Sequence, residues 1–403
     1  MLAVALCGLV AMSTPDWVDL RHTYDRYGLS VCQQNGPLCW DYTVIGLLEY
    51  ELATQRKSAS RLSPGFLSWA ASATDHESNS GSNFGRACRG LERFGIAPLS
   101  LGGDPDGSGR GQVPNDETRA AAIGLGRIEV RWIRFWNNRD TLSEQQLQTM
   151  ESEIAGGHPV AVGMRWPNHT TFTTADSFLL TVPEQADVFD GHCVALVGYA
   201  KDAGVPGGGA FLFRNSWGTG WGDRGYAWMP FALLKFCVND ALSVRMWPTL
   251  SPAGPGSFQF DATKLEVKDV TGPQPELQDM TPFGRIWRGK QQLFFKADHV
   301  GQQFALDVPV EKAGTYELRL VITRAQDYGK FKVAVDGSSP VSIDGSGPGY
   351  SRSGPLPCGK FQLGVGNHRV VLTVEGHDSA SNGLYVGLDS LVLVPIPQSA
   401  PGN

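Results

Sequence analysis

Apolar residues recur at helical spacing in the first half of the chain. The segment LCWDYTVIGLLEYELATQ, residues 38–55, follows the break at Gly36-Pro37 and predicts a helix that begins near Cys39. A second segment, FGRACRGLERFG, predicts a helix that ends at Gly95. Helical and extended patterns alternate from Asp16 to about Thr249.

A third helix and three strands follow. TLSEQQLQTMESEIAGG has a candidate N-cap in Thr141 or Ser143 and a stop at Gly156-Gly157, because glycine readily takes the left-handed conformation that ends a helix. The apolar runs PVAVGM, GHCVALVGYA and GGAFLFRNSW then predict strands.

The pattern changes after PTLSPAGPGS, residues 248–257, whose proline, glycine and serine predict a linker. Five segments of partial alternation follow, separated by turn residues: QQFALDVPV, GTYELRLVITR, GKFKVAVDG, NHRVVLTVEG and GLYVGLDSLVLVP. No segment of residues 258–396 has a convincing helical pattern. We therefore expect an all-β sandwich there.

The length and composition agree with two domains. A chain of 403 residues with 41% apolar residues can fill two cores. Its net charge of -6 does not indicate a basic surface for binding nucleic acid or membranes. Residues 2–12 form an apolar run of signal-peptide length that is too short to span a membrane. The predicted division is a signal or N-terminal segment (1–15), two domains (16–249 and 258–398) and a linker (250–257).

Cys39 is the first candidate for chemistry. The chain has seven cysteines at no zinc-ligand spacing: Cys7, Cys32, Cys39, Cys88, Cys193, Cys237 and Cys358. A thiol at a helix N-terminus is favoured as thiolate, yet a lone cysteine is more often an inert core residue. A catalytic role therefore needs a general base, a group that orients the base, and donors for an oxyanion.

Residues suited to these roles lie downstream. His192 opens the strand GHCVALVGYA, about 150 residues after Cys39, which is the separation in papain-like enzymes. Asn215 has an amide that can accept the imidazole N–H. The indole of Trp217 can cover that hydrogen bond from water.

Residues 16–249 resemble a papain-family (C1) cysteine peptidase of bacterial type. NSWGTGWGDRGY, residues 215–226, carries the resemblance, and CW at 39–40 supports it weakly. Further matches occur in the family's order: LSPGFLSW, GSNFGRACRGLERFGI, PVAVGM and GHCVALVGY. The resemblance implies an α+β papain-like catalytic domain, with a helical half and a β-barrel half. It also implies thiol endopeptidase activity on polypeptides without cofactor or metal.

The resemblance also implies roles for individual residues. Cys39 would be the nucleophile, His192 the base and Asn215 the orienting amide. The family's oxyanion glutamine lies six residues before the cysteine, at Gln33, although the adjacent Gln34 leaves that assignment open.

Substrate contacts follow from the same resemblance. The extended substrate would lie along the glycine-containing segment, and a roomy apolar pocket would take the second side chain before the scissile bond. The alternative is that these residues only pack the domain. The implied contacts are Gly81 and Ser82 for the backbone, Phe84, Gly163 and Cys193 for the pocket, and Trp217 over the site.

Two features depart from the family. Gly36-Pro37-Leu38 replaces the usual residues before the nucleophile, so the family's local disulfide is not expected, and Cys32 lies nearby at a different position. Only 15 residues precede Asp16, which puts propeptide control in doubt. A rival hypothesis is therefore a catalytically silent papain-like protein with a binding or adhesion role.

Residues 258–396 resemble, loosely, the galactose-binding-like jelly rolls appended to secreted bacterial enzymes. Carbohydrate binding would require exposed aromatics, for which Tyr328, Tyr350 and Tyr385 are candidates. Protein or cell-surface attachment and a purely structural role are the alternatives. Together with the apolar N-terminus, this resemblance predicts a secreted or cell-envelope location.

Overall fold

A computed structural model describes residues 14–74, 83–103, 111–168, 171–174, 177–182, 188–247, 257–283 and 287–396. We refer to residues 14–247 as the N-terminal region and to residues 257–396 as the C-terminal β region. The predicted linker lies almost wholly outside the described residues.

The described part of the N-terminal region combines helices with one antiparallel sheet. Its helices are α1 (Arg21–Arg26), α2 (Cys39–Arg56), α3 (Pro64–Ala73), α4 (Asn83–Phe94), α5 (Leu99–Gly102), α6 (Asp116–Gly124), α7 (Glu144–Ala155) and α8 (Phe231–Cys237). Its strands are β1 (Trp17–Asp19), β2 (Arg127–Arg134), β3 (Val160–Pro167), β4 (Val188–Lys201), β5 (Gly209–Arg214), β6 (Tyr226–Pro230) and β7 (Val238–Trp247). The strand order is β2-β7-β3-β4-β5-β6, and β1 pairs with β4.

The three helices predicted from the sequence are confirmed. Helix α2 begins at Cys39, and α4 ends one residue before Gly95. Helix α7 has Ser143 as its N-cap, in a capping box with Gln146. Ser143, and not Thr141, is therefore the cap. Gly157 takes the left-handed conformation, with φ at 84°.

Helix α2 is the central element of this region. Every residue from Cys39 to Ala53 is buried, because the helix packs against both the sheet and helices α3 and α4. Its acidic residues consequently need partners inside the protein. Glu49 accepts hydrogen bonds from Arg61 and from the backbone N–H of Leu62, both at 2.9 Å, and Glu51 pairs with His158 at 2.6 Å.

The C-terminal β region consists of two antiparallel sheets. Its strands are β8 (Phe258–Asp261), β9 (Glu266–Thr271), β10 (Glu276–Asp279), β11 (Gln291–Phe295), β12 (Gln303–Val310), β13 (Gly314–Arg324), β14 (Lys330–Val335), β15 (Val341–Asp344), β16 (Ser351–Arg352), β17 (Leu356–Leu363), β18 (Gly366–Gly376) and β19 (Val386–Pro395). One sheet has the order β10-β11-β19-β13-β16, with β8 on β19 and β17 on β13, and the other has the order β15-β14-β18-β12-β9.

The two sheets share one apolar core. Leu320 of β13 and Leu388 of β19 belong to the same buried cluster as Phe304 of β12 and Leu372 of β18. The alternation in the predicted strands arises because one side chain in two faces this cluster. In β12, for example, Leu306, Val308 and Val310 are buried.

The tyrosines proposed as exposed sugar platforms pack together instead. Tyr328 is fully buried, accepts a hydrogen bond from Gln292 Nε2 at 2.8 Å, and stacks on Phe294. Tyr350 and Tyr385 are half-buried against the same cluster. The prediction is therefore wrong for Tyr328, whose ring fills the core beside β11.

The two regions are in direct contact. Arg324, at the end of β13, forms an ion pair with Glu92 of α4 at 3.3 Å. Ser379 Oγ donates to the backbone carbonyl of Ile133 at 3.1 Å. The contact therefore reaches α4, the helix whose first turn contains Phe84.

Among the described residues, no helix combines the length and the hydrophobicity required to span a membrane.

Candidate active site

Cys39 is the first residue of helix α2. Gly36 takes a positive φ of 74°, and the N–H of Leu38 then donates to the Gly36 carbonyl at 2.9 Å, so the chain turns sharply before the helix. The first N–H groups of a helix have no partner within it and carry partial positive charge. The Cys39 thiol is 8% exposed and lies beside these groups.

His192 reaches this thiol from the sheet. It lies in β4 opposite Met164 of β3, and its side chain is one of the groups that lower the pKa of Cys39. On its other side, His192 Nε2 donates to Asn215 Oδ1 at 2.8 Å. The N–H of Ser216 donates to the same oxygen at 2.8 Å, which fixes the amide orientation. The structure thus joins His192 to Asn215 by a hydrogen bond and places His192 where it lowers the pKa of Cys39.

Indole rings surround the imidazole. Trp217 stacks on His192 with ring centroids 4.6 Å apart and an interplanar angle of 24°. Trp166 meets His192 edge to face at 4.8 Å and also packs against Trp217. These rings exclude water from the bond between His192 and Asn215, both of which are buried.

The pKa of Cys39 is lowered to about 5 from its usual value near 9. The largest cause is a hydrogen bond from the Cys193 thiol, and the hydrogen bond and charge of His192 act in the same direction. Burial opposes them by disfavouring the charged form. Cys39 is therefore a thiolate at neutral pH, which is the reactive form of a cysteine.

The two candidate oxyanion glutamines have different surroundings. Gln34 is engaged, since its Oε1 accepts from Ser216 Oγ at 2.6 Å and its Nε2 donates to the Gly36 carbonyl at 2.7 Å. Gln33 is exposed and pairs through its backbone with Trp217. Its side chain lies close to Gly218, where an added Cβ would come within 2.8 Å of Gln33 Oε1. Gln33 is thus the glutamine whose amide is available.

The implied substrate contacts are only partly described. Gly81 and Ser82 lie outside the described residues. Phe84, Gly163 and Cys193 do lie together, because Cys193 pairs with Gly163 across β3 and β4, and Phe84 contacts Gly163. Trp217 is half-buried over His192.

Gly163 does not widen an open pocket, contrary to the sequence-based expectation of a roomy site. A Cβ added there would lie 2.1 Å from Asp240 Oδ1 and 3.4 Å from the Phe84 ring. The space left by the missing side chain is therefore occupied by Asp240, which is itself 4% exposed.

Two site residues were missed in the sequence. Trp166 lies on β3 beyond the predicted run PVAVGM, and only the extension of that strand places its ring on His192. Asp41, two residues after Cys39, is completely buried and accepts a hydrogen bond from Ser68 Oγ. Burial raises the pKa of Asp41 well above its usual value. Acidic residues at the start of a helix are common, so its burial had no signal in the sequence.

The cysteines form no disulfide among the described residues. Cys32, Cys39, Cys88, Cys193, Cys237 and Cys358 are all free thiols. Cys32 accepts a hydrogen bond from Arg61 Nη2. Within the same residues, no group of three or more metal-ligating side chains is arranged to hold a metal ion.

Known proteins match parts of this chain. Residues 129–239 match the profile of the papain family cysteine protease. An uncharacterised peptidase C1-like protein of Acanthamoeba polyphaga mimivirus is 22% identical over 152 residues, which cover 36% of this chain and 46% of that protein. Cysteine proteinase 3 of Entamoeba histolytica is 37% identical over 84 residues, covering 21% of this chain and 25% of that protein. The chain thus spans less than half the length of these relatives.

Solved structures give low-scoring likenesses. Xylellain, a cysteine protease from Xylella fastidiosa, is 19% identical with a TM-score of 0.46, covering 58% of this chain and 87% of that chain. Digestive procathepsin L 3 of the Tenebrio molitor larval midgut is 19% identical with a TM-score of 0.42, covering 59% and 72%.

The profile match begins after Cys39 and includes His192 and Asn215. The profile match and the two curated relatives therefore support a papain-family (C1) cysteine peptidase domain in this chain.

Proposed function

We propose that this protein is a cysteine endopeptidase that hydrolyses polypeptides through Cys39, His192 and Asn215. The observation that carries the proposal is the position of His192, which donates to Asn215 Oδ1 at 2.8 Å and lowers the pKa of Cys39. A thiolate paired with an imidazole that a third group orients is the arrangement needed for nucleophilic attack on a carbonyl.

Each group has one task in the reaction. The Cys39 thiolate attacks the scissile carbonyl carbon, and the carbonyl π bond breaks to give a tetrahedral oxyanion. His192 then gives its proton to the leaving amine, and the C–N bond breaks to leave a thioester. Water, deprotonated by His192, hydrolyses the thioester and restores Cys39. Asn215 keeps the imidazole in the orientation required for both proton transfers.

The oxyanion is stabilised by two donors in this proposal. One is the backbone N–H of Cys39, which begins α2 and has no partner inside the helix. The other is the side-chain amide of Gln33, since Gln34 already donates to Gly36. Loss of one such donor typically slows turnover by about 10² to 10³.

The substrate would lie across the mouth of the site. Cys193, which is half-buried, would contact the second residue before the scissile bond with the buried Phe84 ring nearby, and Trp217 would cover the site where it stacks on His192. Asp240 fills the space behind Gly163 and would limit the depth of that subsite.

The C-terminal β region is assigned an accessory role. Its two sheets with a shared core support the predicted sandwich, and its contact with α4 supports a role in holding the peptidase domain. The proposal also includes two domains, with limits at 16–249 and 258–398, and a location in the cell envelope or outside the cell.

Turnover of a broad peptide library tests the function. Wild-type protein, reduced with a thiol, is expected to cleave the library, and Cys39→Ala is expected to have no turnover above background while its circular dichroism stays unchanged. Cys32→Ala is the matched control, because Cys32 is half-buried and hydrogen bonds to Arg61 instead of to His192. It should retain turnover.

The rival function is a binding or adhesion role with a silent site. It gains support if the folded wild-type protein cleaves nothing, whereas cleavage that persists in Cys39→Ala would show that Cys39 is not the nucleophile. Either result would reject the endopeptidase mechanism.

A further inference from the structure

A polar cavity lies between α2, the end of β5 and the segment that precedes α2. Its volume is about 350 Å³, which is enough for a small ion and several water molecules of about 30 Å³ each. Neither Cys39 nor His192 is among the described residues that line it. Its polar lining includes Cys32, Gln33, Glu49, Arg61, Arg214 and Ser216.

Arg214 brings a buried positive charge to this cavity. It is the last residue of β5 and is 6% exposed. Its Nη2 donates to the backbone carbonyls of Leu29 at 3.2 Å and Ser30 at 2.7 Å, and the Tyr24 ring lies 5.0 Å from its guanidinium carbon. These three groups are neutral.

One N–H group of Arg214 lacks a partner. The Nε atom is buried and has no hydrogen-bond acceptor within the described parts of the chain. Buried N–H groups of folded proteins nearly always have an acceptor, so an acceptor from outside the chain is expected here.

The charges that line the cavity do not cancel. Glu49 is the one carboxylate among the described lining residues, and it already accepts from Arg61 Nε and from the backbone N–H of Leu62, both at 2.9 Å. Arg61 and Arg214 carry two positive charges against the single negative charge of Glu49, which leaves one positive charge without a counter-charge. The Arg61 side chain is 31% exposed, so an ion can enter beside it from solvent.

We propose that this cavity binds a small monovalent anion, such as chloride, between Arg214 and Arg61. The anion accepts the hydrogen bond from Arg214 Nε and supplies the missing negative charge. A water molecule would pair with Nε, but it would leave the buried charge uncompensated, which is unfavourable in a protein interior. The site is separate from the proposed peptidase chemistry, because it uses none of the groups that attack or protonate the substrate.

The bound anion would stabilise the segment that precedes α2. Arg214 holds this segment through the carbonyl of Ser30, and further along the N–H of Gln34 donates to the carbonyl of Ser216 at 2.7 Å. An anion that fixes the guanidinium of Arg214 therefore also fixes residues 30–34. Anion binding is consequently expected to appear as an increase in the stability of the folded protein.

The direct test is crystallography of the wild-type full chain with bromide in place of chloride. Crystals are grown in sodium bromide, and the anomalous scattering of bromine locates the ion. We expect a peak in the cavity within hydrogen-bond distance of Arg214 Nε. Peaks confined to the protein surface would mean an adventitious ion only, and would overturn the proposal.

The second test measures thermal unfolding by tryptophan fluorescence in increasing sodium chloride. The melting temperature of wild type should rise by about 2 °C for each tenfold increase of chloride above its dissociation constant. Arg214→Gln should lose this rise, because it removes both Nε and the charge. Arg245→Gln is the matched control, since Arg245 is also buried but its charge is balanced by Glu153 at 2.6 Å. It should keep the rise.

General effects of salt act on all three proteins, so the excess of wild type over Arg214→Gln is the quantity compared. An equal rise in wild type and Arg214→Gln would place the ion elsewhere and overturn the site. The bromide map of wild type decides the question if Arg214→Gln fails to fold. Neither measurement uses turnover, so an inactive protein that binds bromide in the cavity would contradict only the endopeptidase proposal.

Discussion

Two buried aspartates, one in each region, have opposite surroundings. Asp389 of the C-terminal β region accepts from the backbone N–H of Arg288 at 2.6 Å, from Arg352 Nη2 at 2.8 Å and from Ser390 Oγ at 2.9 Å. Asp41 of the N-terminal region accepts from Ser68 Oγ, while its Oδ1 is buried with no partner among the described residues. Both side chains are fully buried.

The difference separates a carboxyl group with two paired oxygens from one that lies beside a reactive group. Buried polar atoms are nearly always paired, and exceptions concentrate where a protein does chemistry. Asp41 lies two residues from Cys39, and the thiolate is one of the causes that raise the pKa of Asp41. The N-terminal region thus holds an incompletely paired carboxyl group beside its candidate nucleophile, whereas both oxygens of Asp389 have partners.

The largest expected effect compares one histidine from each region. His192→Ala should lower kcat/KM by roughly 10⁶-fold, because the thiolate loses its proton-transfer partner. His299→Ala, in the C-terminal β region, should leave it unchanged, since the His299 side chain is 78% exposed and pairs only with Asp298 at 2.8 Å. The kcat/KM of both variants is measured by peptide hydrolysis. Equal losses in the two variants would show that catalysis also depends on a side chain of the C-terminal β region, and would contradict the difference drawn between the two regions.

Features that depend on neighbouring residues in the chain, such as the start of a helix or the bounds of a strand, could be predicted from the sequence. The Gly36-Pro37 break marked the start of α2, and β13 has the bounds of its predicted segment, GTYELRLVITR. Strand β17 was missed because Pro357 and Gly359 interrupt its alternation.

Features that depend on distant parts of the chain could not be predicted. The apolar spacing predicted helix α2 but not its burial on all sides from Cys39 to Ala53, and the partners of Glu49 and Glu51 lie on other elements.

The next effect concerns the contact between the regions. Arg324→Met removes the partner of Glu92, whose side chain is 15% exposed. An unpaired buried charge typically costs about 3–5 kcal/mol of unfolding free energy, which urea denaturation followed by tryptophan fluorescence would measure. Lys332→Met is the control, because its pair with Glu375 is exposed and should contribute less than about 1 kcal/mol.

A double variant sharpens this result. Glu92→Gln combined with Arg324→Met removes both charges and should recover part of the lost stability. A loss as small as that of Lys332→Met would show that the two regions do not depend on this ion pair.

The smallest expected effect returns to the two aspartates. The pKa of Asp41 is raised in the folded protein, so the folded state holds this proton at pH values where the unfolded state has lost it. The contribution of Asp41 to stability is therefore fully present below the unfolded pKa, near 4, and decreases as pH rises toward the folded pKa, by at most about 1.4 kcal/mol per pH unit. Asp41→Asn removes this dependence. Urea denaturation between pH 4 and pH 7 should therefore show the variant gaining stability relative to wild type as pH increases.

Asp389→Asn should instead lose about 1.5–3 kcal/mol of unfolding free energy at neutral pH, because an amide cannot accept all of the hydrogen bonds that the carboxylate accepts. A constant difference between Asp41→Asn and wild type across this range would mean that Asp41 ionises normally, and the contrast between the two regions would then lie in hydrogen bonding alone.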